Sequence, residues 1–199
     1  EGLIYGIMAL GVFITFRVLD FPDLTVDGSF SLGAALMVQC ILLDMNLWLA
    51  LLIAFIGGTL AGAVTALIHN HLKVPNLLAG ILTMTMLYSV NIRILDNRAN
   101  LPVLKHTTIL SQVSERFADV VPDEYILLLF FVIVVLIIKV LLDLFFHTDL
   151  GMTLGAMGNN EQMVISQGVN PKTLKTIGLG LSNGLVAISG AFTAQYLGF

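Results

Sequence analysis

The chain has 199 residues, of which 57% are hydrophobic and 11% charged, with a formal net charge of −4. A soluble domain carries about 25% charged residues, so this chain has too few to cover a globule of its size. Several runs exceed the roughly 18 apolar residues of a membrane-crossing helix, and none alternates like a barrel strand of about ten residues. The fold class is therefore all-α, a polytopic transmembrane bundle of about six spans. No basic cluster points to nucleic acid, and the single cysteine, Cys40, excludes an internal disulfide.

Residues 2–19 form the first span, with Gly2 and Gly6 as a small face for close helix approach. The run lacks a basic n-region and a small-residue cleavage site, so it is not a signal peptide. Asp20 to Ser29 follows, where Pro22 and Gly28 disfavour a continuous helix before a short run from Phe30 to Leu43. Broken helix at membrane depth is tolerated only where it is buried in protein or lines a cavity, and in transporters such breaks mark the pathway. Two readings stay open for Asp20, Asp23 and Asp27. They belong to a water-exposed loop in which Asp27 caps the next helix, or the backbone from Asp27 through Gly28 and Ser29 to Gly33 lines a pathway.

Leu47 to Ile68 is the third span, opening on Trp48 and carrying Gly58, Gly62 and Ala66 as a close-packing face. His69 and His71 sit in a short polar turn, with no carboxylate or cysteine at ligand spacing, so no metal site is assigned. The fourth span, Pro75 to Leu95, is unusually polar, with Thr83, Thr85, Tyr88, Ser89 and Asn91 along it. These groups either bond between helices or line a route for a polar solute. In the polar segment 96–123, Val113 to Val121 is expected as an amphipathic interfacial helix. Glu124 to Phe146 is nearly uniformly apolar, with Lys139 and Asp143 at i, i+4.

The stretch 147–175 carries strong punctuation. Asn159 suits the N-cap of a short helix with Gln162 as its capping-box partner. Gly168 suits a left-handed C′ position, and Asn170-Pro171 reads as an N-cap with proline at N1. The last run, Thr176 to Phe199, contains Gly178, Gly180, Gly184 and Gly190. Its mid-membrane Asn183 must face protein or a cavity, because a bare amide in lipid is costly. The chain opens at Glu1 and stops at Phe199 inside an apolar helix, and is read as a single transmembrane domain, 1–199, from a longer polypeptide.

FPDLTVDGSFSLGA at 21–34 and LGMTLGAMGNNEQMVISQGVN at 150–170 together resemble the permease subunits of ABC importers of the branched-chain amino-acid and ribose type. The resemblance covers essentially the whole chain and lies nearest the amino-acid subgroup. It implies a multi-pass protein of the bacterial inner membrane, paired with a second permease. It also implies two cytosolic ATPase subunits, which hold ATP and Mg, and an extracytoplasmic solute-binding protein. No cofactor or catalytic residue is implied in this chain, and no Walker A motif, HExxH or GxSxG occurs. By the same resemblance 147–175 is a cytoplasmic loop. Asn159, Asn160, Glu161, Gln162, Val164 and Gly168 fall in a coupling helix that contacts the ATPase. Against the EAA---G pattern of other importer classes, the spacing from Glu161 to Gly168 is one residue longer and Gln162-Met163 replace its alanines, and the basic residue expected near Gly155 in related sequences is lacking. The expected pathway residues are Asp27, Gly28, Ser29, Gly33, Thr83, Ser89 and Asn183. Lysine and arginine placement, five against four, does not orient the chain, so the loop motif does. Three rivals are a plain connecting loop at 147–175, a membrane scaffold, and an ion-coupled carrier or channel using Asp20, Asp23 or Asp27.

Overall fold

The computed structural model describes residues 1–98, 108–117 and 123–198, with backbone alone for 114–117 and 123–124. Helix α1 (Gly2–Phe13) runs into one π-helical turn at Ile14–Val18. It is followed by α2 (Thr25–Leu42), α3 (Leu47–Leu72), α4 (Asn76–Ile94), α5 (Ile109–Phe117) and α6 (Asp123–Phe146). Then come α7 (Asp149–Asn159), α8 (Glu161–Ser166) and α9 (Pro171–Leu197). Five of these, α2, α3, α4, α6 and α9, are long and apolar enough to cross a membrane, and α1 with its π turn is a shorter apolar helix. The polytopic all-α fold expected from composition is the fold found.

The bundle is built around α9, which is packed by α1, α2 and α3. Small residues let the backbones meet. A Cβ on Gly33 of α2 would collide with the Ala187 backbone, and one on Gly190 would collide with Phe30. Gly58 and Gly62 of α3 face the backbones of Asn183 and Leu179 in the same way. The close-packing face expected on the third span is thus the α3–α9 contact. Without a hydrophobic drive between helices in lipid, such close approach is what van der Waals packing depends on. Helix α6 is different. It rests on α1 and leaves Leu128, Leu136, Leu141 and Leu144 exposed, as a lipid-facing outer helix does.

Local chemistry explains the boundaries. Asn46 caps α3 through Trp48 N–H at 3.0 Å, and Lys73 closes it in the left-handed region at φ 55°. Asn170 caps α9 by accepting from Lys172 N–H at 3.0 Å, with Pro171 at N1 as the sequence indicates. The first backbone donor of α5, Ile109 N–H, is satisfied by Gln195 Oε1 of α9 at 2.8 Å.

Five expectations change. Helix α2 is unbroken through Gly28 and Gly33, and the break lies earlier, at 19–24. Gly2 and Gly6 meet nothing, while Gly11 is the residue of α1 that approaches α9, beside the Ser182 carbonyl and Val186. His69 and His71 lie in the last turn of α3 rather than in a separate turn. The amphipathic helix starts at Ile109, earlier than expected, and residues 118–121 of the expected span lie outside the described residues. Finally, 149–159 is helical (α7), because Thr148 caps it through Gly151 N–H and Gly158 lets it close onto Val18.

Candidate functional site

Three arrangements concentrate the polar chemistry. The first is the break before α2. Asp20 takes the left-handed region at φ 50°, and the chain crosses from the π turn to α2 without helical bonding. Apart from the exposed Asp20 the segment is buried or half-buried: Leu19 packs on Gly178, and Leu24 and Asp23 press on Gly80 of α4. Within it Asp23 is 1% exposed. Its Oδ1 accepts from Thr25 N–H at 2.8 Å and its Oδ2 from Asn183 Nδ2 at 2.7 Å. Asn183 Nδ2 also donates to the Leu179 carbonyl at 3.0 Å, and its Oδ1 accepts from the Ser29 hydroxyl at 2.6 Å. The hydroxyls of Thr25 and Thr65 lie 2.7 Å apart. Thr65 donates to the Ala61 carbonyl, so Thr25 is the donor between them. Asn183 stands at the middle of α9, so this network ties the break, α2, α3 and α9 together at membrane depth. Asn183 is its hub; Asp23 is a buried member rather than a water-exposed loop group, and it, not Asp27, bonds the first amide of α2.

The second arrangement is a cavity of about 660 Å³ between α2 and the C-terminal half of α4. Asp27, Gly28 and Ser31 form one wall; Met84, Thr85, Tyr88, Asn91, Ile92 and Leu95 form the other, with Asn97 and Arg98 at one end. Asn91 Nδ2 donates to the Gly28 carbonyl at 3.3 Å and fixes the two helices across its floor.

The third is the α7–α8 unit. Asn160, not Asn159, is the N-cap: its Oδ1 accepts from Met163 N–H at 3.0 Å, while Asn159 ends α7. The cap moves by one because α7 extends to 159. At the other end Gly168 (φ 82°) donates to the Ile165 carbonyl at 2.9 Å, and Val169 N–H to the Val164 carbonyl at 3.3 Å, a full Schellman stop. Val164 is buried among Leu154, Met157 and Leu174, so it anchors α8 to its own chain. Met163 and Ile165 are the apolar side chains that α8 exposes. Glu161 makes two hydrogen bonds with Lys175 Nζ, at 3.0 and 3.1 Å, clamping α8 to the N-terminal part of α9.

The expected pathway residues thus separate. Asp27 and Gly28 line the cavity, whereas Ser29 and Asn183 belong to the buried network. Gly33 is a helix contact, and Thr83 is buried with its hydroxyl on the Ala79 carbonyl of its own helix. Ser89 is exposed and lines neither arrangement.

Over residues 1–199 the chain matches the family described as branched-chain amino acid transport system, permease component. The chain belongs to that permease family. Within it, the chain is 43% identical over all of its length to the tyrosine transport system permease protein of Clostridioides difficile (strain R20291), covering 63% of that protein. It is 36% identical over all of its length to an uncharacterized protein of Rickettsia prowazekii (strain Madrid E), covering 67% of it. The chain therefore spans about two thirds of the length of these relatives. No solved structure matches it. For a permease of this family, sequence reasoning missed Thr25, Thr65 and Arg98 as members of these arrangements. Nothing in their local spacing separates them from capping or loop residues; only the tertiary fold brings them in.

Proposed function

We propose that this chain is the transmembrane part of an ABC importer in the bacterial inner membrane, conducting an amino acid of the branched-chain or aromatic class. The observation that carries the reading is α8: a short helix capped at both ends, anchored by Val164, ion-paired to α9 and presenting Met163 and Ile165 outward. A connecting loop has no need of this much local reinforcement. Cytosolic ATPase subunits, holding ATP and Mg, receive that helix. A second permease completes the pathway, and an extracytoplasmic binding protein delivers solute. The amino-acid class is supported by the family description and by the tyrosine transport name of the Clostridioides difficile relative.

The chain's part in coupling is mechanical. Closure of the ATPase pair displaces α8, and the Glu161–Lys175 pair and Val164 pass that displacement to α9. This is rigid-body switching around packed elements. The test is co-purification of the full-length permease with its ATPase, and reconstituted uptake of labelled L-tyrosine and L-leucine. Met163→Asp combined with Ile165→Asp should release the ATPase and abolish ATP-driven uptake, while the permease stays monodisperse. Uptake by the permease alone, driven by an ion gradient, would overturn the proposal in favour of an ion-coupled carrier.

A further inference from the structure

We propose that the cavity between α2 and α4 is a zwitterion site that holds the α-ammonium and α-carboxylate of the transported amino acid, a reading that rests on the amino-acid function proposed above. Four observations converge. Asp27 lies in the first turn of a membrane-crossing helix, yet its side chain is exposed on the cavity wall. A carboxylate on such a helix is costly facing lipid and is kept where it faces protein or a polar cavity. Arg98 lines the same cavity just past the end of α4 and supplies the opposite charge. Among the described residues, neither Asp27 nor Arg98 is ion-paired within the chain.

The third observation is Asn91. It is 7% exposed and lines the cavity, and its Oδ1 is buried with no hydrogen-bond partner among the described residues. An unpaired buried acceptor costs about 1–3 kcal/mol, so one retained beside a cavity marks a place for a donor. Its Nδ2 is already used on Gly28, which holds the acceptor in place. Fourth, beside the polar Ser31, Thr85 and Asn97, Met84, Ile92, Leu95 and the ring of Tyr88 give the lining an apolar part that suits an apolar or aromatic side chain. A small number of placed polar groups in a mainly apolar wall is the usual composition of a small-molecule site.

The roles follow from charge. Asp27 and Asn91 Oδ1 accept hydrogen bonds from the α-ammonium, and the Arg98 guanidinium donates to the α-carboxylate. Discrimination then falls on the backbone ends of the solute, while the wall accepts several side chains. The polar fourth span is put to use: Asn91 and Tyr88 face the solute, while Thr83 remains a helix-internal group.

The experiment uses the full-length permease–ATPase complex in nanodiscs without the binding protein, with labelled L-tyrosine as the probe. Tyramine, which lacks the carboxylate, and 3-(4-hydroxyphenyl)propionate, which lacks the ammonium, compete against it. Wild type should prefer L-tyrosine over both by about tenfold or more, the scale of one charge-assisted hydrogen bond. Arg98→Gln should erase the preference over tyramine alone, and Asp27→Asn the preference over the acid alone. That crossed pattern is one a misfolded variant cannot give, and retained ATPase checks assembly. Equal binding of all three compounds by wild type, or unchanged preferences in both variants, overturns the site. If the complete wild-type importer moves L-tyrosine and L-leucine normally while either result holds, only the site fails. If it moves neither, the amino-acid reading fails as well.

Discussion

Asn183 shows what one side chain can hold. It bonds Asp23, Ser29 and its own helix in a setting with no water to replace a lost partner. Asn183→Leu should therefore leave the Asp23 carboxylate and the Ser29 hydroxyl short of partners, at a cost of about 1–3 kcal/mol. Ser29→Ala removes one bond and should cost less, nearer 0.6 kcal/mol, the mean for bonds between membrane helices. Detergent-solubilised melting followed by size exclusion would rank the two; an equal or reversed order would contradict the network. That Asn183 must face protein was legible from its place in an apolar run, but its partner was not. Asp23 reads in sequence like its neighbours Asp20 and Asp27, and only the fold buries one and exposes the others.

At the scale of elements, the glycines of this chain divide into those that touch a backbone and those that do not. Gly33→Leu should force α2 off α9 and sharply reduce folded yield. Gly6→Ala, with open space around it, should be neutral or stabilise by up to about 1 kcal/mol through helix propensity. Yield and thermal midpoint in one detergent would check both. The sequence marks Gly6 as a small face and Gly33 as a pathway position, since spacing cannot say whether a neighbour is present. The caps were more readable. Gly168 and Asn170-Pro171 stand where their chemistry places them, whereas the cap at Asn160 was displaced by one residue because the glycine-rich run before it is helical. Gly168→Val should cost about 1–2 kcal/mol, for its left-handed backbone suits no β-branched residue. Under the proposed coupling, ATP hydrolysis by the assembled importer should then proceed with less uptake per turnover in reconstituted vesicles.

Over the whole molecule, burial runs from α9 outward to α6. Leu179 is fully buried and Leu141 is exposed, so Leu179→Ala should cost about 2–5 kcal/mol and Leu141→Ala little. Membrane class and approximate spans were plain from composition, because apolar runs of this length have few other uses. The order of packing was not, although composition differs with depth: the exposed α6 is the most apolar span, while the buried α9 carries the glycines and hydroxyls through which helices meet. Helix α9 begins two residues after the Schellman stop and runs without a kink-forming proline to the buried network at its middle. From Pro171 to Asn183 the rise is about 18 Å, so pivoting the helix by some 10° at its Pro171 end swings the amide sideways by about 3 Å. That is one hydrogen-bond length. Under the coupling proposed above, α9 is a lever arm that converts a small angular input at its α8 end into simultaneous loss of the Asp23 and Ser29 bonds.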